Sequence, residues 1–174
     1  DPELVGQYDY SRSLLVFLGT LALFGMQQSI IYYSGYLSAH KSLGYLKSIY
    51  KKMAFMVAVI AVLLNIGLVL VIKSPLEEWL GLSIDDITLY TFPAIFFYGI
   101  TMLNIDVFRA MNKIEVSEVF RNIFRYSFLF IAVVALFYTK NTAYLVEIFL
   151  MNFAFLSVLS TIMVVYYFRE NQFR

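Results

Sequence analysis

Residues 53–72 read MAFMVAVIAVLLNIGLVLVI, a stretch in which Asn65 is the one polar side chain and no residue is charged. Wound as an α-helix, roughly 20 residues reach about 30 Å, the thickness of the hydrocarbon core of a bilayer. Lipid offers no partners for backbone N–H and C=O groups, so such a segment has to pair them internally, and a helix does so. A helix of a water-soluble bundle would carry a polar stripe every third or fourth residue. This stretch has none.

Four more runs of the same kind flank it, at 13–36, 88–108, 122–138 and 144–168. Together they predict an all-α polytopic bundle, a partial transmembrane lobe over residues 1–174 with five membrane spans. The composition agrees: 61% of the chain is hydrophobic and 14% charged, whereas a soluble domain is about 25% charged. A net charge of +1 gives nucleic acid nothing to attract it. The absence of cysteine excludes disulfide scaffolds, thiolate metal sites and cysteine nucleophiles. Residues 1–12 are polar and lack the basic and apolar regions of a signal peptide, so the chain reads as a segment of something larger.

Orientation follows from Lys and Arg, which are retained on the cytoplasmic side. Lys41, Lys47, Lys51 and Lys52 follow the first run; Arg109, Lys113, Arg121 and Arg125 surround the connector after the third; Arg169 and Arg174 follow the fifth. Only Arg12, Lys73 and Lys140 fall on the other side. Residue 1 is therefore expected outside and residue 174 in the cytoplasm, in an integral protein of the plasma membrane. Arg125 lies near the start of the fourth run, where its side chain could snorkel to the interface. Leu43, Leu46 and Tyr50 recur at helical spacing among lysines and suggest an interfacial helix before the second span. Connector 74–87 suggests a short amphipathic helix opened by Pro75, with Trp79 at headgroup level. Ser83 and Asp86 resemble a cap for the third span.

Residues for covalent chemistry are scarce. The single histidine, His40, stands beside Lys41, and there is no Gly-rich phosphate loop and no HExxH, so no catalytic, cofactor or metal residues are assigned. Asp85 and Asp86 read as helix-start residues rather than metal ligands. Polar groups inside the apolar runs say more, because each is costly in lipid without a partner or water. Asp106 lies one turn before the end of the third run with Arg109 at i+3, and Arg109, Arg121 or Arg125 is its expected partner. Gln28, Tyr32 and Tyr36 form a stripe in the first run that needs water or another helix. Asn65, Tyr98, Asn104, Glu147 and Asn152 are isolated polar groups, helix glue unless one side of the bundle gathers them into a cavity. Convergence of Gln28, Tyr32, Asn104, Asp106 and Arg125 on one groove is the expectation.

The segments FGMQQSIIYYSGYLSA (24–39), LNIDVFRAMNK (103–113) and EVFRNIFRY (118–126) resemble flippases of polysaccharides or lipid-linked oligosaccharides, of the multidrug/oligosaccharidyl-lipid/polysaccharide exporter superfamily. The resemblance implies two lobes of six helices that rock about a central cavity to move a lipid-linked sugar, as in cell-envelope polysaccharide export. This chain would then supply helices two to six of the first lobe, with the first helix and second lobe as partners. It also implies that Arg109, Arg121 and Arg125 pair with a substrate diphosphate, with Gln28, Tyr32 and Asn104 lining the cavity, and that Asp106 couples ion movement. Two alternatives stand beside it: a drug/cation antiporter of the same superfamily, which needs a deep acidic site, and an integral membrane glycosyltransferase or acyltransferase, which needs convergent acid, base or metal residues.

Overall fold

A computed structural model describes residues 2–39, 44–72, 86–139 and 145–170, and among them every regular element is helical. The helices are α1 (Pro2–Leu23), α2 (Met26–Ala39), α3 (Gly44–Ile72), α4 (Asp86–Ala110), α5 (Ile114–Glu118), α6 (Arg125–Thr139) and α7 (Leu145–Glu170), with a π-helical turn (Val119–Phe124) joining α5 to α6. His40, the connector holding Pro75 and Trp79, and the Ser83 cap lie outside the described residues.

Side-chain neighbours fix the direction of each pass. Tyr98 meets Phe153, Asn104 meets Ser160 and Phe108 meets Tyr167, so α4 and α7 run parallel. Gly19 lies against Tyr98 and Ser34 bonds to the carbonyl of Ala110, so α1 and α2 run the same way. Tyr50 meets Asn104 while Val57 meets Gly99, which reverses α3. Arg121 meets Asp106 while Arg125 lies nearer Tyr98, which reverses α6. The chain thus crosses the bundle five times in alternating directions.

Helix α4 is the hub: it packs on α1, α2, α3, α5 and α7, and every residue from Tyr98 to Phe108 is buried. A helix that is apolar on nearly all faces is stable only inside other helices. Close approach is achieved with small side chains, as in membrane bundles, where Gly and Ala let backbones come together. Ala22, Ala61 and Ala94 are buried at these seams, and a Cβ at Gly99 would touch Val57.

Among the described residues, two helices are long and apolar enough to cross a membrane, within Gly44–Leu70 and Leu145–Glu170, or three if α1 and α2 count as one broken span. The five expected spans are therefore met in part. One reason is that α4 carries Pro93, Asn104, Asp106 and Arg109, which lower its apolarity. Another is that the first run is broken: α1 and α2 meet at 42°, with Phe24 at φ 41° and Gly25 at φ 76°. Glycine takes this left-handed geometry freely, and phenylalanine pays roughly 1–2 kcal/mol for it.

One further expectation is corrected. Among the described residues no separate interfacial helix precedes the second span: α3 is continuous from Gly44, and Leu46, Tyr50, Met53, Val57 and Ala61 form one buried stripe along it, while Leu43 lies outside the described residues. The fourth helical run begins at Ile114, ahead of the apolar stretch 122–138, which leaves Arg125 about 16 Å from its start at 1.5 Å per residue.

A Cβ added at Gly19 would overlap the Tyr98 ring, whereas Gly67 has open space around it. Gly19→Ala is expected to cost about 1–3 kcal/mol through displacement of Tyr98, and Gly67→Ala to be neutral or stabilising. Unfolding of the two variants in mixed micelles, followed by helical circular dichroism, measures the difference.

Candidate functional site

Three polar centres surround α4. At the first, the Tyr50 hydroxyl donates to Asn104 Oδ1 at 2.8 Å, and Asn104 Nδ2 donates to Ser160 Oγ and Thr161 Oγ1, both at 2.9 Å. The amide is 0% exposed, and both its ends are occupied. Asn104 therefore ties α3, α4 and α7 together.

The second centre lies at the C-terminal end of α4. Asp106, 5% exposed, accepts a 3.1 Å hydrogen bond from Arg121 Nη2 in the π turn, with Arg109 Nη1 at 3.9 Å. Arg109 Nη2 donates to Glu118 Oε1 at 2.5 Å, and Asn122 donates to Glu118 Oε2 at 2.8 Å. Two carboxylates and two guanidiniums thus neutralise one another. Lys113 closes the same end, 4.9 Å from the Tyr167 ring centroid.

The third centre is Arg125. The Asn152 amide donates to its backbone carbonyl at 3.2 Å, and its guanidinium carbon lies 5.7 Å from the Phe153 ring and 5.6 Å from that of Tyr126. Tyr98, midway along α4, packs on Phe153 at 5.3 Å, and the charge of Arg125 reaches the phenols of Tyr8 and Tyr98. Among the described residues no carboxylate lies within 4.0 Å of this guanidinium. Arg125 is half-buried and level with the middle of α4 rather than at the rim.

The expected convergence on one groove is not found. Asp106, Arg109 and Arg121 come together, Asn104 sits in its own knot and Arg125 in an aromatic cradle. Gln28 and Tyr32 are exposed on α2, Tyr32 at 73% with its ring edge-on to Tyr33. Their separation follows from the burial of α4 on all sides, which turns its polar residues toward neighbouring helices. An apolar depression of about 340 Å³ between α3 and α4, lined by Asn65, Pro93 and Phe96 among others, includes none of the sequence-predicted site residues.

Glu118, Asn122, Tyr50, Ser160 and Thr161 escape sequence reading as partners. The spacing of Glu118 and Asn122 at i and i+4 is a usable signal, but nothing in sequence shows that Arg109 faces them. Buried oxygens without a protein partner among the described residues are Ser11 Oγ, Ser117 Oγ, Glu147 Oε2 and Asn152 Oδ1. Compared with known family models, curated proteins and solved structures, the chain matches none.

The hydrogen bond from Arg109, aided by its charge, holds the Glu118 carboxyl below its ordinary value of 4.5. A depressed carboxylate stabilises the fold above its unfolded pKa, and that contribution is lost as pH falls through the folded value. The thermal midpoint in micelles is therefore expected to hold down to about pH 4.5 and then to fall. In Glu118→Gln the part of this decline due to Glu118 should disappear, which a pH series of melts on both proteins reads directly.

Proposed function

We propose that the chain is part of a membrane transporter, a flippase lobe that moves a lipid-linked oligosaccharide or polysaccharide precursor by alternating access. In this reading all five passes cross the plasma membrane, with residue 1 outside and residue 174 in the cytoplasm. The alternating helix directions and the one-sided basic residues support that topology.

The observation that carries the reading is the guanidinium of Arg125, which lies among aromatic rings at mid-bundle and has no carboxylate within 4.0 Å among the described residues. A charge in such surroundings is costly and marks a pathway or binding position. A guanidinium is suited to phosphate oxygens because its planar fork of N–H donors matches them. The three arginines drawn from the resemblance are thereby ranked. Arg109 and Arg121 are engaged by Glu118 and Asp106, while among the described residues Arg125 has no such counter-charge. The bundle gives the antiporter alternative less support, since its buried Asp106 is bonded to a guanidinium. Transport requires no bond to be made or broken, only a polar surface offered to each leaflet in turn.

The test is binding of a polyprenyl diphosphate to the purified chain in lipid nanodiscs, with the uncharged polyprenol as comparison. The chain is expected to prefer the diphosphate, and Arg125→Ala to weaken that binding by about tenfold or more. Exposed Arg169→Ala should leave it unchanged. Equal binding of alcohol and diphosphate, or full retention in Arg125→Ala, would overturn the proposal.

A further inference from the structure

The helical run from Ile114 to Thr139 is fastened on both sides of its π turn. Upstream, Phe120 is buried against Phe108 and Arg121 is bonded to Asp106. Downstream, Phe124 packs edge-on to Phe120 at 5.0 Å, and among the described residues one 3.2 Å hydrogen bond, from Asn152, holds the carbonyl of Arg125, whose guanidinium lies over Phe153. Among the described residues Asn152 Oδ1 has no hydrogen-bond partner, and the polar fastening downstream is a neutral bond where the upstream one is an ion pair.

A π turn stores one residue more than an α turn over the same axial length. Releasing that residue turns the helix on one side by about 100° and moves it by about 1.5 Å. The chemistry of the two sides decides which one can move. Turning the upstream side would carry Arg121 into the buried place of Phe120 and Glu118 into that of Ser117, burying two charges. Turning the downstream side carries Phe124 into the place of Arg125 and Arg125 into the exposed place of Tyr126. After Arg125, α6 reads YSFLFIAVVALFYT, with no charge and no amide to be buried by the turn.

We propose that the π turn Val119–Phe124 is a one-residue register switch, which rotates α6 and exchanges Arg125 for Phe124 beneath Phe153. In the observed register the arginine sits in the cradle; in the other it leaves, and an apolar ring fills its place. The ion cluster at the end of α4 anchors the upstream side throughout. This inference concerns the arginine of the transport reading but rests on the π turn alone, and it stands whether or not Arg125 meets a phosphate.

The chain has no cysteine, so introduced thiol pairs report the register cleanly. Phe124→Cys with Phe153→Cys, treated with a short bismaleimide in nanodiscs, is expected to cross-link in the full-length chain as the second register is visited. Deletion of exposed Ile123 removes the stored residue while both fastened sides keep their places. It should preserve the thermal midpoint and slow that cross-link by about tenfold or more. An Arg125→Cys, Phe153→Cys pair, which reads the observed register, should cross-link alike in both backgrounds. By contrast, deletion of Met163 from the regular helix α7 has to rotate everything beyond it and should destabilise. Equal Phe124–Phe153 rates with and without Ile123 would overturn the switch. Unfolding on deletion of Ile123 would do so too, because the two sides could then not be in register across the π turn.

Discussion

Burial of α4 from Tyr98 to Phe108 sets the terms for the rest of the bundle. Ile95, Leu103, Ile105, Val107 and Phe108 fill the space between the other passes, so no polar side chain on this stretch has an outward face to use. Each one must be satisfied by a neighbouring helix, since an unpaired buried polar group costs about 1–3 kcal/mol. Asn104 is met by three hydroxyls and Asp106 by two guanidiniums. In making those bonds the polar groups also fix which helices lie beside α4 and at what height. Apolar packing alone would allow several registers, because one Leu or Ile fits against a helix much as another does.

This explains which parts of the molecule are legible in sequence. Hydropathy reveals the helices because the rule that backbone groups be paired in lipid acts along a single segment. Asp106 announces its need for a cation for the same reason: the cost of a carboxylate belongs to that residue and its surroundings. The identity of the partner is a property of two segments. Arg121 reaches Asp106 from fifteen residues away in sequence by way of the π turn, and a π turn has no compositional signature in VFRNIF. Arg125 shows the consequence. Its position in an apolar run says only that it lies near the start of that run; Phe153, which packs on Tyr98, places its guanidinium level with the middle of α4. Gln28 and Tyr32 illustrate the opposite case: the polar stripe is real, but it faces out from the bundle rather than toward Asp106.

Charge bookkeeping separates the two basic centres further. The cluster of Asp106, Glu118, Arg109 and Arg121 is neutral and internally bonded; an incoming anion would have to compete with carboxylates already in place. Such a competition is unfavourable wherever the surroundings are desolvated, because breaking one buried pair leaves a charge uncompensated. Arg125 has ring faces around it, and these attract a cation through their quadrupoles without neutralising it. Its field remains available to whatever approaches.

The two centres are joined by the same helix, and the π turn lies between them. Arg121 and Arg125 are four residues apart, a spacing that an α-helix would place on one face. The extra residue of the π turn loosens that relation, so that one guanidinium meets a carboxylate at the end of α4 while the other enters the aromatic cradle. A bundle whose core helix is fixed by polar knots can tolerate motion only where a surrounding helix is held by few of them. Among the described parts α6 meets that condition, since beyond Arg125 its sequence offers no charged or amide group with which to hold its neighbours. The polar knots at α4 and the lack of charged or amide groups in α6 beyond Arg125 are therefore two sides of one distribution of polar residues.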